Sequence, residues 1–554
     1  MKHRLLSTVL LFAMLFALAG SAQASLSEST ALLQVLVPDA GAIQRFAATG
    51  LPAYTFLDGF LLSGASAARL ARLDAAGLEY SLLDADMRGG QYYLAYVRSG
   101  QLPPAWDDYG QLLLTGANYA LLRSTPDATA RLASTGIAFR AITLSPKPLP
   151  DRQAEADIFP EVVIPDPLVQ AIIDQVTQSE IYDLTAGLSG VTPVTIGGTP
   201  YTIATRHTYS GEPVQKATQY VGEYLSSLGL VVDYHTWEIG TPPNVIGRMP
   251  GLVTPRNIYI IGGHLDDMPD GPLAPGADDN ASGSVATLLA AKIFSQYYPG
   301  CTLRFALWTG EEQGLLGSYE YAERARLQKE TILGYINLDM IAWNSDNRPG
   351  IDLHATDDIP ATLDLAQLFA DVITAYDLDL DADIFDTGMG ASDHASFWDF
   401  NYVSILAIED DNDFNDYYHT TNDQLQYLNM PYYTEFVKAS LATFAHMSNC
   451  LLPTGTLDGT VSAAGSGEPV PGAALVFTNP LGYTFEALTD AEGGYTSILP
   501  AGVYTATVSA DGYLPVTVGD VTVVADSLVT QDFELPLVID TWITYLPLGF
   551  KGDD

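Results

Sequence analysis

The chain has 554 residues, 47% hydrophobic and 16% charged, with a formal net charge of −42. Asp and Glu number 66 while Lys and Arg number only 24, so the charge comes from a shortage of bases. That excludes a basic nucleic-acid binder, whose footprint is a positive patch, argues against docking on anionic lipid, and excludes global disorder, because so apolar a chain can offset its conformational entropy.

Residues 1–24 read as a secretory signal peptide. Lys2, His3 and Arg4 form the charged start, Val9–Leu18 the apolar run, and Ala22-Gln23-Ala24 the small-residue cleavage pattern. The expected location is therefore secreted and extracellular, and no later stretch reaches the roughly 18–20 apolar residues of a membrane helix. Export permits a disulfide; Cys301 and Cys450 either pair or stay as two buried thiols.

Residues 25–150 contain an internal duplication. Phe60, Ala71-Arg72-Leu73 and Gly77-Leu78 recur as Tyr119, Ala130-Arg131-Leu132 and Gly136-Ile137. Each copy reads strand, helix, strand (Gly59–Leu62, Ala67–Ala75, Leu78–Leu83), which makes a small duplicated α+β domain. No residue in it suggests chemistry. Two readings stand: a propeptide that assists folding or blocks the site, or a permanent accessory domain. Ser145–Pro150 is a stiff, Pro-rich linker.

The region 151–453 alternates helix and strand patterns: helix Pro213–Leu228, strands Asn244–Ile246 and Asn257–Ile261, helix Ala281–Phe294, strand Thr302–Trp308, helix Leu315–Leu327, strand Ile332–Met340. Such alternation predicts an α/β sheet covered on both faces. From 454 to 536 alternating apolar residues (Val503–Val508, Val516–Val518, Val521–Val524) and turn signals about every ten residues predict an all-β sandwich. The run Thr489–Tyr495, Leu499–Tyr504 and Asp511-Gly512-Tyr513 resembles the transthyretin-like, carboxypeptidase-regulatory-like domain, in which case a surface or substrate contact is implied. Residues 537–554 form an apolar tail without assignment.

Four segments carry chemistry: Gly262-Gly263-His264-Leu265-Asp266 with Ala277-Asp278-Asp279-Asn280; Thr309-Gly310-Glu311-Glu312; Asn337-Leu338-Asp339-Met340; and Tyr418-His419-Thr420. Three of them follow predicted strands, where ligands bind in an open α/β sheet. His, Asp and Glu are zinc-binding types, and an Asp in a strand as apolar as Tyr335–Ile341 would be expensive to bury unpaired. Two histidines and three carboxylates suit a pair of zinc ions sharing one carboxylate, with another carboxylate free to act as general base.

These segments, with Thr205-Arg206-His207-Thr208-Tyr209-Ser210 and Asn244-Val245-Ile246, resemble the secreted bacterial leucyl aminopeptidase family of co-catalytic zinc exopeptidases. That family lies in metallopeptidase clan MH, with glutamate carboxypeptidases and glutaminyl cyclases as relatives. The resemblance covers about residues 165–450 and implies the zinc exopeptidase fold, a mixed central sheet with helices on both faces. It also implies peptide or protein substrates and two zinc ions per chain. By motif, His264 and Asp339 would hold one ion, Glu312 and His419 the other, and Asp279 would bridge. Glu311 would be the base, and Asp266 would orient His264. The segment Phe385–His394 departs from the family pattern. Thr387 and Ala391 stand where secreted members often have cysteines, and Met389 stands where they have a tyrosine that helps stabilise the oxyanion; Asp393 and His394 would lie behind the ligands.

Between Pro349 and Val437 there is no Lys or Arg, and Ile351–Asp423 holds 18 acids. Asp377, Asp379, Asp381 and Asp383 read as the solvated face of an exposed strand, with Ca2+ the rival for them and for Glu409–Asp413. A negative approach to His419 favours the ammonium end of a peptide, hence an aminopeptidase. The alternatives are a carboxypeptidase, for which Arg348 is the best remaining cation, a glutaminyl cyclase-like acyltransferase, and a non-catalytic surface or adhesion module.

Overall fold

The structure is a computed structural model, and it describes residues 31–57, 59–98, 101–150, 159–160 and 162–538. The expected signal peptide and all but the first two residues of the C-terminal tail lie outside the described residues. The chain divides into two compact units, one running to Asn449 apart from 252–254 and 297–300, the other comprising those two short pieces and the chain from Cys450 on.

The first unit opens with two four-stranded antiparallel sheets. One has the order Ala53–Leu57, Phe60–Ala65, Ala31–Leu36, Tyr80–Asp84; the other has Gln111–Thr115, Tyr119–Ser124, Gln91–Tyr96, Ala138–Ile142. Each copy is thus larger than the expected strand–helix–strand. The first is a full β-α-β-β-α-β unit with helices Ala40–Thr49 and Ala67–Ala75. In the second, a three-residue 3-10 turn, Trp106–Asp108, is the only helical segment among the described residues between its first two strands, and sequence similarity shows only in the later half.

The rest of this unit is built on an eight-stranded mixed sheet. Its order is Val231–His235, Asn244–Met249, Cys301–Trp308, Thr254–His264, Thr331–Leu338, Ser404–Glu409, Gly350–His354, Asp381–Phe385. The central strands are buried on both faces, as sheets covered by two helix layers require. Helices Gln178–Leu188, Glu212–Ser227, Ala281–Phe294, Ala361–Ala375 and Met430–Ser448 pack on one side. Helix Ala281–Phe294 is buried all round save Lys292, which fits a position enclosed between layers. On the other side Leu316–Gln328 and His394–Trp398 cover an aromatic core that includes Trp308, Tyr321, Tyr335 and Phe397. Among the described residues no helix is long and apolar enough to cross a membrane.

The second unit is a two-sheet β structure. Thr454–Ala463 pairs with Gly494–Pro500, Leu528–Thr530 and Phe533–Leu535, and the other sheet runs Thr484–Leu488, Ala474–Thr478, Gly502–Ser509, Val516–Val523. Strand Gly502–Ser509 alternates, with Tyr504, Ala506 and Val508 buried against Leu457, Leu475 and Phe477. Neither cysteine is free: Cys301 and Cys450 are both disulfide-bonded.

Candidate metal centre

Parallel pairing of Thr254–His264 with Thr331–Leu338 brings two strand ends to one edge of the sheet. His264 is the last residue of the first strand and Asp339 directly follows the second. Glu311 and Glu312 follow Cys301–Trp308, and the Leu265 amide donates to Trp308 O at 2.7 Å, tying two strand exits together. Asp279 stands just ahead of helix Ala281–Phe294. The side chain of Asn280 caps that helix through Gly283 N (2.8 Å) and donates to Leu338 O (2.9 Å), which hooks the helix to the Asp339 strand. Asn280 is fully buried in this role, so the formal glycosylation sequence Asn280-Ala281-Ser282 is inaccessible. His419, with φ 59°, sits in the loop before helix Met430–Ser448.

The five predicted ligands and Glu311 converge. His264 Nε2 lies 3.1 Å from Asp339 Oδ1 and 3.2 Å from Asp279 Oδ1. His419 Nε2 lies 2.9 Å from Glu312 Oε2 and 3.3 Å from Asp279 Oδ2. The two oxygens of Asp279 therefore face the two imidazoles separately. Two three-residue sets, His264–Asp279–Asp339 and Asp279–Glu312–His419, share that carboxylate, and Glu311 joins a third grouping with His264 and Glu312. The far nitrogens are occupied: His264 Nδ1 is 2.9 Å from Asp266 O, and His419 Nδ1 is 2.8 Å from Ala133 O.

Electrostatics favour a cation here. Burial alone would lower both imidazoles, but Asp339 and Glu311 hold His264 well above its ordinary value, and Glu312 with Asp279 holds His419 at about 10. Burial pushes Glu312 up to about 7 and Glu311 well above the usual carboxylate range, with Glu312, Asp339 and Asp393 adding to Glu311. Asp279 Oδ2 and Glu312 Oε1 are buried without a hydrogen bond. Such orphaned acceptors, in a set of imidazoles and carboxylates, fit zinc.

A further layer fixes these groups. The Asp266 carboxylate is not what meets His264 Nδ1, since its nearest oxygen is 3.9 Å away and the backbone carbonyl makes the bond. That carboxylate instead accepts from Thr208 Oγ1 and from the Glu311 and Glu312 amides, the latter two at 3.4 Å. Ser392 Oγ donates to Asp339 Oδ2 at 2.6 Å and accepts from Asn337 Nδ2 at 2.7 Å. Asp423 accepts from the backbone amides of Asp278 and Asp279 at 3.0 and 2.9 Å, pinning the turn that presents the shared carboxylate. Arg206, fully buried, donates to Leu188 O, Leu265 O, Pro275 O and Gly276 O at 2.7–2.9 Å.

Other expected residues lie elsewhere. Met389 is packed among apolar side chains that include Tyr92, Leu94 and Tyr96, and has no hydroxyl to offer the site. Tyr418, whose segment is marked by its histidine and which has no role of its own in the sequence pattern, stacks on His419 with centroids 3.7 Å apart and lines the site. Burial pushes Asp393 up to about 8, and His394 Nε2 lies 3.0 Å from Met389 O. The Asp ladder begins as a strand only at Asp381, where Asp381 and Asp383 are exposed on the sheet edge. Among the described residues neither acidic stretch forms a His/Cys/Asp/Glu group close enough to hold an ion.

Fold and site together define the class, an α/β scaffold of the zinc exopeptidase type carrying a metallopeptidase centre at the carboxyl ends of its strands. Residues 244–444 match peptidase family M28, and residues 456–536 match the carboxypeptidase regulatory-like domain. A Saccharomyces cerevisiae protein named a probable aminopeptidase is 31% identical over 222 residues, 37% of this chain and 57% of that protein. A Pseudomonas aeruginosa aminopeptidase is 42% identical over 88 residues, 16% of each chain. The chain spans less than two thirds of the length of these curated relatives. The Legionella pneumophila LapA aminopeptidase has the same fold, with a TM-score of 0.51 at 18% identity over 65% of this chain and 99% of that one.

Proposed function

We propose that the chain is a secreted zinc aminopeptidase that removes the N-terminal residue of peptides using two zinc ions. The observation that carries this is the Asp279 carboxylate, whose two oxygens face His264 and His419 at 3.2 and 3.3 Å and so divide the donors into two sets. His264 and Asp339 would hold one ion, Glu312 and His419 the other. Zinc bound there would acidify a water and polarise the scissile carbonyl.

The protein's own part is positioning and proton transfer. Glu311 takes a proton from the attacking water and delivers it to the leaving nitrogen. Its buried position keeps the carboxyl pKa high, which suits both halves of that transfer. The amides of Glu311 and Glu312, held by Asp266, keep base and ligand in fixed relation. Preference for an N-terminus rests on charge. A carboxypeptidase needs a cation for the substrate carboxylate, yet the lining around Glu311, Glu312 and His419 contains no Lys or Arg. The Arg348 side chain is 83% exposed and pairs with Asp346. Secretion rests on the sequence of residues 1–24.

Zinc stoichiometry and hydrolysis of aminoacyl nitroanilides against N-blocked peptides, with and without chelator, test the reading on intact chain and on chain cut between Pro150 and Phe159. Two zinc ions and cleavage of free N-termini are expected. One zinc with cyclisation of N-terminal glutamine would favour the acyltransferase, and release of C-terminal residues from N-blocked peptides would replace the aminopeptidase with a carboxypeptidase.

A further inference from the structure

The geometry points to residues 31–150 as an inhibitory cap seated on the metal centre, so that the intact chain is a latent enzyme. This rests on the peptidase reading of that centre.

The cap touches the site itself. The C-terminal end of helix Pro126–Ala133 offers Ala133 O to His419 Nδ1 at 2.8 Å. In strand Ala138–Ile142, the Ala141 amide donates to Gly314 O at 3.2 Å, three residues beyond Glu311. Between Ala138 and Phe139 on one side and Glu311, Glu312 and His419 on the other, a cavity of about 10 Å³ remains. That is room for about one water, which needs roughly 10–15 Å³, whereas ligand pockets run to about 300–1,000 Å³. No peptide can bring its carbonyl to Glu311 while the strand is there.

Apolar packing holds the cap on. Met268, two residues beyond Asp266, is buried among Tyr93, Leu132 and Phe139 of the cap. Met389 is buried among Tyr92, Leu94 and Tyr96. Gly314 is a close fit, since a Cβ there would stand 2.8 Å from Ala141 N and its φ of +106° disfavours any other residue.

A charge lock adds to the packing. Asp399, at the end of helix His394–Trp398, pairs with both Arg140 (3.5 Å) and Lys147, and all three side chains are at most 8% exposed. Lifting the cap away dry would leave buried charge uncompensated, the costly half of a buried pair. Arg98 lies 3.5 Å over the Phe414 ring and 4.7 Å from that of Tyr418, gripping the loop that carries His419. By composition residues 31–150 hold nine bases and nine acids, so the cap is neutral against an acidic remainder. Attachment therefore rests on packing and the buried triad rather than on long-range attraction, and salt alone does not release it.

Release requires a separate endopeptidase. It adds water across one peptide bond between Pro150 and the helix beginning at Pro167, leaving a new carboxylate and a new ammonium, after which the cap dissociates.

The test places a recognition sequence for a specific endoprotease between Pro150 and Phe159 of the full, zinc-loaded chain. Uncut chain, and cut chain freed of the cap by gel filtration, are compared by kcat/KM on leucine p-nitroanilide and by the half-time of zinc loss to excess chelator. Removal of the cap is expected to raise kcat/KM by at least about 100-fold, the gain when the competent state was open about 1% of the time. Zinc loss is expected to speed up by about 10-fold as His419 loses its Ala133 partner. Equal values for uncut and freed chain in both measurements would overturn the cap while leaving the peptidase reading intact. A freed chain that holds zinc but cleaves nothing would sink the peptidase reading; the zinc-loss ratio then decides the cap, unchanged against it and shortened for it. Should the pieces stay together, the uncut Arg140→Ala, Lys147→Ala chain decides: activity or zinc loss faster by about 10-fold supports the cap, and no change overturns it.

Discussion

Replacing Arg206 with methionine removes a guanidinium that joins three separate backbone stretches. Its bonds to Leu188 O, Leu265 O, Pro275 O and Gly276 O run at 2.7–2.9 Å, and Asp267 Oδ2 lies 3.4 Å away, all fully buried. Bonds from a charged donor are worth about 1.5–3 kcal/mol each, so the gross loss is several times that; relaxation and the new thioether packing recover part of it. Breaking one side of a buried ion pair costs about 3–5 kcal/mol, and a net loss of about 4–5 kcal/mol is expected. The bonded carbonyls flank His264 and Asp279, so zinc affinity falls with stability, by about 10–100-fold as for other groups behind metal ligands. Burial already holds Asp267 well above the usual carboxylate range, with Arg206 pulling it down. Without Arg206 it rises further. A carboxyl raised in the folded state favours folding below its unfolded value, near 3.9, and loses that contribution as pH climbs through the folded value. The variant's deficit therefore grows as pH rises through the folded value. Guanidinium unfolding across a pH series, with hydrogen exchange over residues 265–279, measures it. A loss below about 1 kcal/mol with parental zinc affinity would show that the guanidinium does not hold the turn.

Glu311→Gln is expected to keep its zinc and lose about 10²–10⁴ in kcat; near-normal turnover removes Glu311 as the base. Ser392→Ala takes the 2.6 Å bond from Asp339 Oδ2 and should weaken the His264–Asp339 zinc by about 10–100-fold, read by competitive chelation, without matching loss at the other ion. Zinc uptake should release protons, because His264 is raised and His419 stands at about 10 in the metal-free set. Affinity then climbs with pH, and calorimetry in two buffers of different ionisation enthalpy counts the protons; a pH-independent affinity between about 6 and 8 would contradict this. The same raised imidazoles stabilise the metal-free fold fully below about 6.5. For His419 that contribution is lost as pH rises through about 10.

Much of the α/β scaffold was legible because periodicity and burial agree there. Helix Ala281–Phe294 has the predicted bounds, and its all-round apolar sequence reflects enclosure on every side. Strand Thr331–Leu338 stops two residues short of the predicted Met340, whose φ is 53°; the apolar pattern continues because the turn is also buried, and burial rather than pairing is what hydropathy reports. His264, Glu311, Glu312 and Asp339 could be singled out since each follows a strand end. Asp423 and Ser392 could not: a single polar residue 144 positions from the amide it binds, or 53 from its carboxylate, leaves no spacing signal. Nor does sequence say which atom of a residue acts, and Asp266 orients His264 through its carbonyl while its carboxylate serves Glu311 and Glu312. The approach of Ala133 to His419, 286 residues apart, is legible only once both halves are folded.

That last contact makes the two imidazoles unequal in one respect. His264 is braced by Asp266, two residues along its own strand exit, and keeps that brace for the life of the fold. His419 is braced by Ala133 O, on the duplicated domain. Were that domain removed, as proposed above, the His419 ring would keep its ligand-facing nitrogen but lose what fixed its rotation, and water would have to take the place of the carbonyl. A chain freed of its cap and loaded with two ions would thus hold one tightly and one exchangeably, a difference set by which brace is permanent and which leaves.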